Sequence, residues 1–184
     1  MNPDTLGVTI EDGPLAGIKL VRTAVRADGE ARELYRDDSY KAAGLDAIFV
    51  VDEAGFFPAR SLRSLAFQHP GWQGQLTTVL SGRIYFAAVD LREDSPGFRQ
   101  WFGVELSETS PQLFVAPGFA QGFCVLSDGA WVAMKLTGPH RPEARQVLRF
   151  DDPSVGIAWP LPRPIPGPLE QQAVALAELR LSRA

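Results

Sequence analysis

The chain has 184 residues, 45% of them hydrophobic, and a formal net charge of −4. That balance carries no basic footprint, so nucleic acid and membranes are not expected partners. One cysteine excludes an intrachain disulfide, and two histidines, His69 and His140, far apart and in no H-x-H or H-x-x-x-H pattern, argue against a bound metal.

The N-terminus, MNPDTLGVTIEDG, is acidic and lacks the basic and apolar regions of a secretory signal. No stretch is apolar enough to span a bilayer. A cytoplasmic protein is expected. Residues 1–13 read as an N-terminal arm. Ile18-Lys19-Leu20-Val21 reads as the first strand, 26–33 as a charged turn, and 36–44 as a short helix that Asp37 or Asp38 can cap. Ala47 to Val51 is an apolar run and reads as a strand. Gly55-Phe56-Phe57-Pro58 reads as an apolar loop.

Between residues 61 and 92 lie three apolar runs, LAF at 65–67, LTTVL at 76–80 and IYFAAV at 84–89. His69-Pro70-Gly71 and Ser81-Gly82 separate them, and Pro and Gly break extended runs cleanly. The runs predict consecutive antiparallel strands. IYFAAV is apolar on both faces, which places it in the middle of a sandwich or barrel. After a DSPG turn at 94–97, strands are predicted over 101–106, 112–116, 122–126 and 131–136. Cys124, in GFCVL, reads as a buried small hydrophobe. The Pro-rich stretch 139–168 reads as wrapping loops. The stretch 169–183, LEQQAVALAELRLSR, has apolar residues at helical spacing and predicts a C-terminal helix. Short strands at this spacing predict an all-β domain over 1–184, with its core over 14–138.

The central stretch resembles the dTDP-4-dehydrorhamnose 3,5-epimerase family of cupin-type jelly rolls. That family reads roughly V-L-R-G-L-H-[FY]-Q, then Q-G-K-L, then G-x-V-F-D-V-A-V-D-L-R. Here the frame reads Leu62-Arg63-Ser64-Leu65-Ala66-Phe67-Gln68, then Gln73-Gly74-Gln75-Leu76, then Gly82 to Arg92 as GRIYFAAVDLR. Further blocks match at 95–106, at PGFAQGFCVLS over 117–127, and at DDPSVGIAWP over 151–160. The resemblance implies a cupin-type jelly-roll sandwich and a homodimer.

It also implies a chemistry that these residues do not repeat. In the family a His takes a proton next to a 4-keto group, a Tyr returns one on the opposite face, and a Lys holds the enolate. Those positions fall on Ala66, Met134 and Gln75. The family's buried Asp falls on Phe86, its second His on Gln121, and the Asp that pairs with the base lies near Glu170. A phosphate-binding R-G-x-F falls on Asp28-Gly29-Glu30-Ala31, and Q-D-N on Val51-Asp52-Glu53. Arg63 remains as an anion ligand. The catalytic residues are therefore unassigned, with His69, Gln75 and Gln121 the candidates left. His69 is either a relocated base or a turn histidine, Trp72 either a stacking lid or a loop aromatic, and Lys135 either a site charge or a rim charge. Arg63, Ala66, Gln68, Trp72, Gln75, Phe86, Gln121 and Met134 are the expected ligand-binding residues. They suit a mostly apolar small molecule, so the first expectation is a cyclase or isomerase of natural-product biosynthesis needing no cofactor. Two alternatives stand beside it. One is a dTDP-4-keto-6-deoxysugar 3- or 3,5-epimerase with relocated acid–base residues. The other is a non-catalytic small-molecule-binding or partner subunit.

Overall fold

The computed structural model describes residues 7–23 and 31–181. Asp28, Gly29 and Glu30, and with them most of the charged turn, lie outside the described residues.

Twelve strands form two sheets among the described residues. The first sheet has the order β1 (Val8–Asp12), β2 (Ile18–Thr23), β8 (Gln112–Val115), β5 (Gln75–Ser81), β10 (Gly129–Leu136) and β3 (Val51–Pro58). The second has the order β11 (Arg145–Leu148), β4 (Ser61–Gln68), β9 (Phe119–Val125), β6 (Arg83–Asp90) and β7 (Trp101–Ser107). A two-residue β12 (Ile165–Pro166) runs parallel to β4. Every other pairing between the strands is antiparallel. This is the all-β sandwich expected from the short, evenly spaced strands.

The alternation of side chains explains how the layers hold. β6 lies between β9 and β7. Its Ile84, Phe86 and Ala88 point between the sheets, where they meet Val79, Leu113, Val115, Val132 and Met134 of the facing sheet. Ala87 and Val89, the alternate residues, point the other way into a second cluster with Leu65, Leu148 and Leu176. A strand buried on both faces must be apolar at every position, which is why IYFAAV shows no alternation. The outer face of the first sheet is covered by Tyr40, Leu45 and Phe49 over Leu76 and Phe114. Cys124 is fully buried, and burial pushes its thiol up to about 11.

Five local expectations are corrected. The apolar stretch 55–58 is not a loop but the end of β3. Its alternation is regular: Phe57 points inward, edge-on to Phe123 at 4.9 Å, and Phe56 points outward to Trp131 at 5.8 Å. Gly55 and Pro58 read as turn residues in the sequence, but an edge strand tolerates both. The expected strand over 47–51 is not one: β3 begins only at Val51, and Val50 N–H donates to Leu136 O at 2.9 Å. The expected arm contains β1, paired with β2. The C-terminal helix is replaced by two short 3-10 turns, Pro168–Gln172 and Leu176–Glu178. Between them Val174 is drawn into a bridge with Leu148, and its N–H donates to Val147 O at 3.0 Å. A backbone held by that bridge cannot supply i→i−4 bonds as well. Helix α1 (Asp37–Ala42) stands where expected, but Arg36 is its N-cap and no side chain caps it. Among the described residues no helix is long and apolar enough to cross a membrane.

The end of β6 is fixed by one buried carboxylate. Asp90 is fully buried and accepts from Arg92 Nε at 2.8 Å, Arg92 Nη2 at 2.6 Å and Ser95 Oγ at 2.6 Å. Burial opposes its ionised form, but the Arg92 and Ser95 hydrogen bonds and the nearby positive charge outweigh it and hold the carboxyl below 3.8. A carboxylate with a depressed folded pKa stabilises the fold above its unfolded pKa and loses that contribution as pH falls through the folded value. Asp152, which accepts from Leu176 N at 2.7 Å, is depressed in the same sense. Urea midpoints should therefore drop as pH falls below about 4. Asp90→Asn should cost about 1–3 kcal/mol at neutral pH and show a shallower acid decline than the parent. Equal declines would show that Asp90 does not supply the acid sensitivity.

Candidate functional site

The site begins with a bulge. Strand β4 pairs with β9 as Leu62↔Cys124 and Arg63↔Phe123, and then the register jumps to Ala66↔Gln121. Three residues on β4 therefore match two on β9, one residue extra. The bulge resets the parity of the strand. Arg63 and Ala66, three apart, would face opposite sides of a regular strand, yet here both line one cavity. Gly122 permits the approach: a Cβ there would fall 2.3 Å from Arg63 O and 2.7 Å from Ser64 O.

The cavity holds about 260 Å³ at one end of the sandwich. The second sheet contributes Arg63, Ala66, Phe67 and Gln68 from β4, Gln121 from β9 and Arg145 from β11. The first contributes Glu53 from β3, Gln75 from β5 and Leu136 from β10, while Gln73 and His140 come from loops and Leu169 from the 3-10 turn Pro168–Gln172.

Its electrostatics centre on Glu53. One carboxylate oxygen lies 3.0 Å from His140 Nε2, and the other 3.8 Å from Arg63 Nη2. Burial pushes the Arg63 pKa below its usual value, Glu53 pulls it back up, and the neighbouring Arg145 charge lowers it again. Arg63 also lies over the Phe57 ring at 5.9 Å. Two guanidinium groups thus share a partly buried wall with one carboxylate.

The glutamines differ in what holds them. Gln68 is bound on both ends of its amide, donating to Pro139 O at 3.1 Å and accepting from Arg141 N at 2.6 Å. Gln73 donates to Gly138 O at 2.5 Å and Pro139 O at 2.7 Å. Gln75 donates to Thr77 Oγ1 at 2.8 Å. Gln121 Oε1 is buried with no hydrogen-bond partner among the described residues. Buried amide oxygens are normally satisfied. Gln121 Oε1 thus keeps its acceptor capacity unused at the cavity wall, whereas Gln68 and Gln73 anchor the 138–141 loop that carries His140.

Of the residues expected at the site, Arg63, Ala66, Gln68, Gln75 and Gln121 come together here. Phe86 and Met134 do not line this cavity; they are fully packed in the core between the sheets. Trp72 stacks on Phe67 at 5.2 Å and lies 4.9 Å from the His69 ring, beside a separate small cavity with Leu91 and Arg92. His69 is absent from the lining of the Ala66 cavity. Lys135 faces away from it too, on the outer face of the first sheet, paired with Asp52 and 5.1 Å from the Tyr35 ring. Glu170 accepts from Phe150 N at 3.2 Å, and its neighbour Leu169 rather than Glu170 lines the cavity. Sequence reasoning missed Glu53, His140 and Arg145. His140 and Arg145 both sit in the Pro-rich stretch 139–168 that read as loop, and only the pairing of β11 with β4 and of β3 with β10 brings the three together. Among the described residues no cluster of three or more His, Cys, Asp or Glu is placed to hold a metal.

The amide pattern predicts a split between two variants. Gln68→Leu should destabilise the protein by about 1–3 kcal/mol by leaving Arg141 N unpaired. Gln121→Leu should leave thermal stability unchanged or raised, since its oxygen is already unsatisfied. Equal losses would remove the distinction between anchoring and ligand-facing glutamines.

Comparison with known proteins gives a consistent answer. The family model for dTDP-4-dehydrorhamnose 3,5-epimerase matches residues 12–178. A curated dTDP-4-dehydrorhamnose 3,5-epimerase of Neisseria gonorrhoeae is 41% identical over 83% of this chain, which spans about half of that protein's length, 47%. One of Methanothermobacter thermautotrophicus is 37% identical over 80% of this chain and 81% of its own length. The crystal structure of a dTDP-6-deoxy-D-glucose-3,5-epimerase from Legionella pneumophila, in complex with dTDP-4-keto-L-rhamnose, superposes with a TM-score of 0.87 at 31% identity, covering 94% of this chain and 95% of that one. Matched along nearly its whole length in sequence and in fold, the chain belongs to the dTDP-4-dehydrorhamnose 3,5-epimerase family.

Proposed function

We propose that the Ala66 cavity binds a nucleotide-linked 4-keto-6-deoxysugar and that the protein epimerises it at a carbon next to the ketone. The observation that carries this reading is the lining itself: two guanidinium groups, Arg63 and Arg145, with four glutamine amides. Guanidinium forks match phosphate oxygens, and amides match sugar hydroxyls and carbonyls. The mostly apolar ligand expected from the sequence depended on Phe86 and Met134 as walls, and both belong to the core instead. The family relatives, one of them holding a keto-sugar nucleotide, support the same reading.

The chemistry follows from the ketone. A carbonyl acidifies the adjacent C–H bonds. A base removes one of those protons, the electron pair passes to the carbonyl oxygen, and a nearby positive charge stabilises the enolate. Return of a proton to the opposite face inverts the carbon. A second reading, a non-catalytic binder of the same ligand, is favoured by the apolar residues Ala66 and Met134, where the family resemblance places base and acid.

Calorimetry with dTDP and proton NMR of a dTDP-4-keto-6-deoxysugar in deuterated water separate the two. The epimerase reading requires dTDP binding that Arg63→Ala weakens, together with solvent exchange of the C3 or C5 hydrogen. Binding without exchange would select the non-catalytic reading, and no binding would exclude both.

A homodimer is part of this proposal. Phe56, Trp131 and Leu80 are 54%, 47% and 40% exposed on adjacent strands of the first sheet, a patch costly to leave in water. Sedimentation should give twice the 20.1 kDa of one chain. Trp131→Asp should shift the protein to monomer, and a parent monomer at micromolar concentration would rule the dimer out.

A further inference from the structure

We infer that the His140–Glu53 pair is the proton-transferring group of this cavity, standing in for the imidazole absent at Ala66. The inference rests on the keto-sugar reading above. Of the two histidines in the chain, His140 lines the cavity with Ala66 and His69 does not. Ala66 lies on the second sheet, and a methyl side chain there leaves room for a base from the facing side. Glu53 supplies part of that side from β3, and His140 follows β10 on the loop that Gln68 and Gln73 anchor.

The geometry assigns roles. His140 Nε2 lies 3.0 Å from Glu53 Oε2. A carboxylate oxygen accepts and does not donate, so the Nε2 proton faces Glu53 and the Nδ1 lone pair is left to act as base. The other Glu53 oxygen faces Arg63 at 3.8 Å, so the carboxylate is oriented from two sides. A carboxylate that fixes the tautomer of an imidazole and stabilises its protonated form is a recurrent arrangement for a general base. Glu53 thereby acts as a positioning residue.

The step balances within the cavity. Nδ1 takes the proton from the carbon beside the ketone. The C–H electron pair becomes the enolate double bond, and the carbonyl π pair moves onto oxygen. The imidazolium, balanced by Glu53, returns a proton to the face it came from, and inversion takes its proton from solvent on the opposite face. The His140 side chain is 40% exposed, so the proton on the imidazolium has a route to exchange with solvent. Deuterium entry at carbon therefore reads this step whichever face is reprotonated.

The test uses the whole chain, a dTDP-4-keto-6-deoxysugar in deuterated water, and dTDP calorimetry. His140→Gln should slow exchange by about 10²–10⁴-fold with dTDP affinity kept. His140→Ala should do the same and recover part of the rate with added imidazole, which a structural role would not allow. His69→Gln should exchange like the parent. Glu53→Gln should slow exchange but leave the imidazole-rescued rate of His140→Ala unchanged. Exchange at the parent rate in His140→Gln would overturn the assignment while the keto-sugar reading stands. A parent that binds dTDP without exchange would also overturn it and leave a binder. Loss of dTDP binding in both His140 variants would overturn it in favour of a ligand-holding role. No dTDP binding by the parent would overturn both readings.

Discussion

The site depends on one backbone contact, the approach of β4 to Gly122. Arg63 O and Ser64 O come so close to that residue that no side chain fits. The gap lets β4 carry one residue more than its partner, and the extra residue turns Arg63 and Ala66 toward the same side. Without the bulge, either the cation or the methyl position would face out of the cavity. Ala66 therefore shares its cavity with Arg63 because of a backbone feature, and the charges nearby are arranged around that fact.

Those charges form a chain of dependence rather than a set of independent pairs. Glu53 divides its two oxygens between His140 and Arg63. Arg145 adds a second positive charge that opposes the first. Two guanidinium groups sharing one carboxylate leave a surplus of positive charge in a partly buried wall, and an anion entering the cavity relieves it. Partly buried charge of one sign is costly when nothing offsets it, and the phosphorylated ligand proposed for this cavity would supply that offset. The glutamines divide likewise, with Gln68 and Gln73 holding the loop and Gln121 presenting an unpaired oxygen.

Much of the fold was legible because the signals are local. The two-faced apolarity of IYFAAV matches a strand buried between two clusters. The Gly and Pro breaks at 69–71 and 82 fall between strands as read. The errors also have local causes. Gly55 and Pro58 carry turn chemistry yet occupy an edge strand, where neither disrupts a ladder. LEQQAVALAELRLSR has helical spacing, but the bridge of Val174 to Leu148 takes the backbone bonds a helix would need. The site was only half legible. Arg63, Ala66, Gln68, Gln75 and Gln121 could be placed through the family frame, since they lie on strands whose order that frame preserves. Glu53 fell in that frame at the family's Q-D-N but was not read as a site residue, and His140 and Arg145 could not be placed, because strand pairings distant in sequence bring the three together. The switch of buried side chains from Leu62 and Ser64 to Leu65 and Phe67 marks the bulge in the structure, and no reading of the sequence anticipated it.

The most direct test of this account is a crystal structure of the protein grown with dTDP. Diphosphate density is expected in the Ala66 cavity, with phosphate oxygens within hydrogen-bond distance of Arg63 or Arg145 and Gln121 Oε1 meeting a donor. A nucleotide lodged elsewhere on the sandwich, with this cavity left to solvent and the Arg63–Glu53–His140 contacts undisturbed, would contradict it.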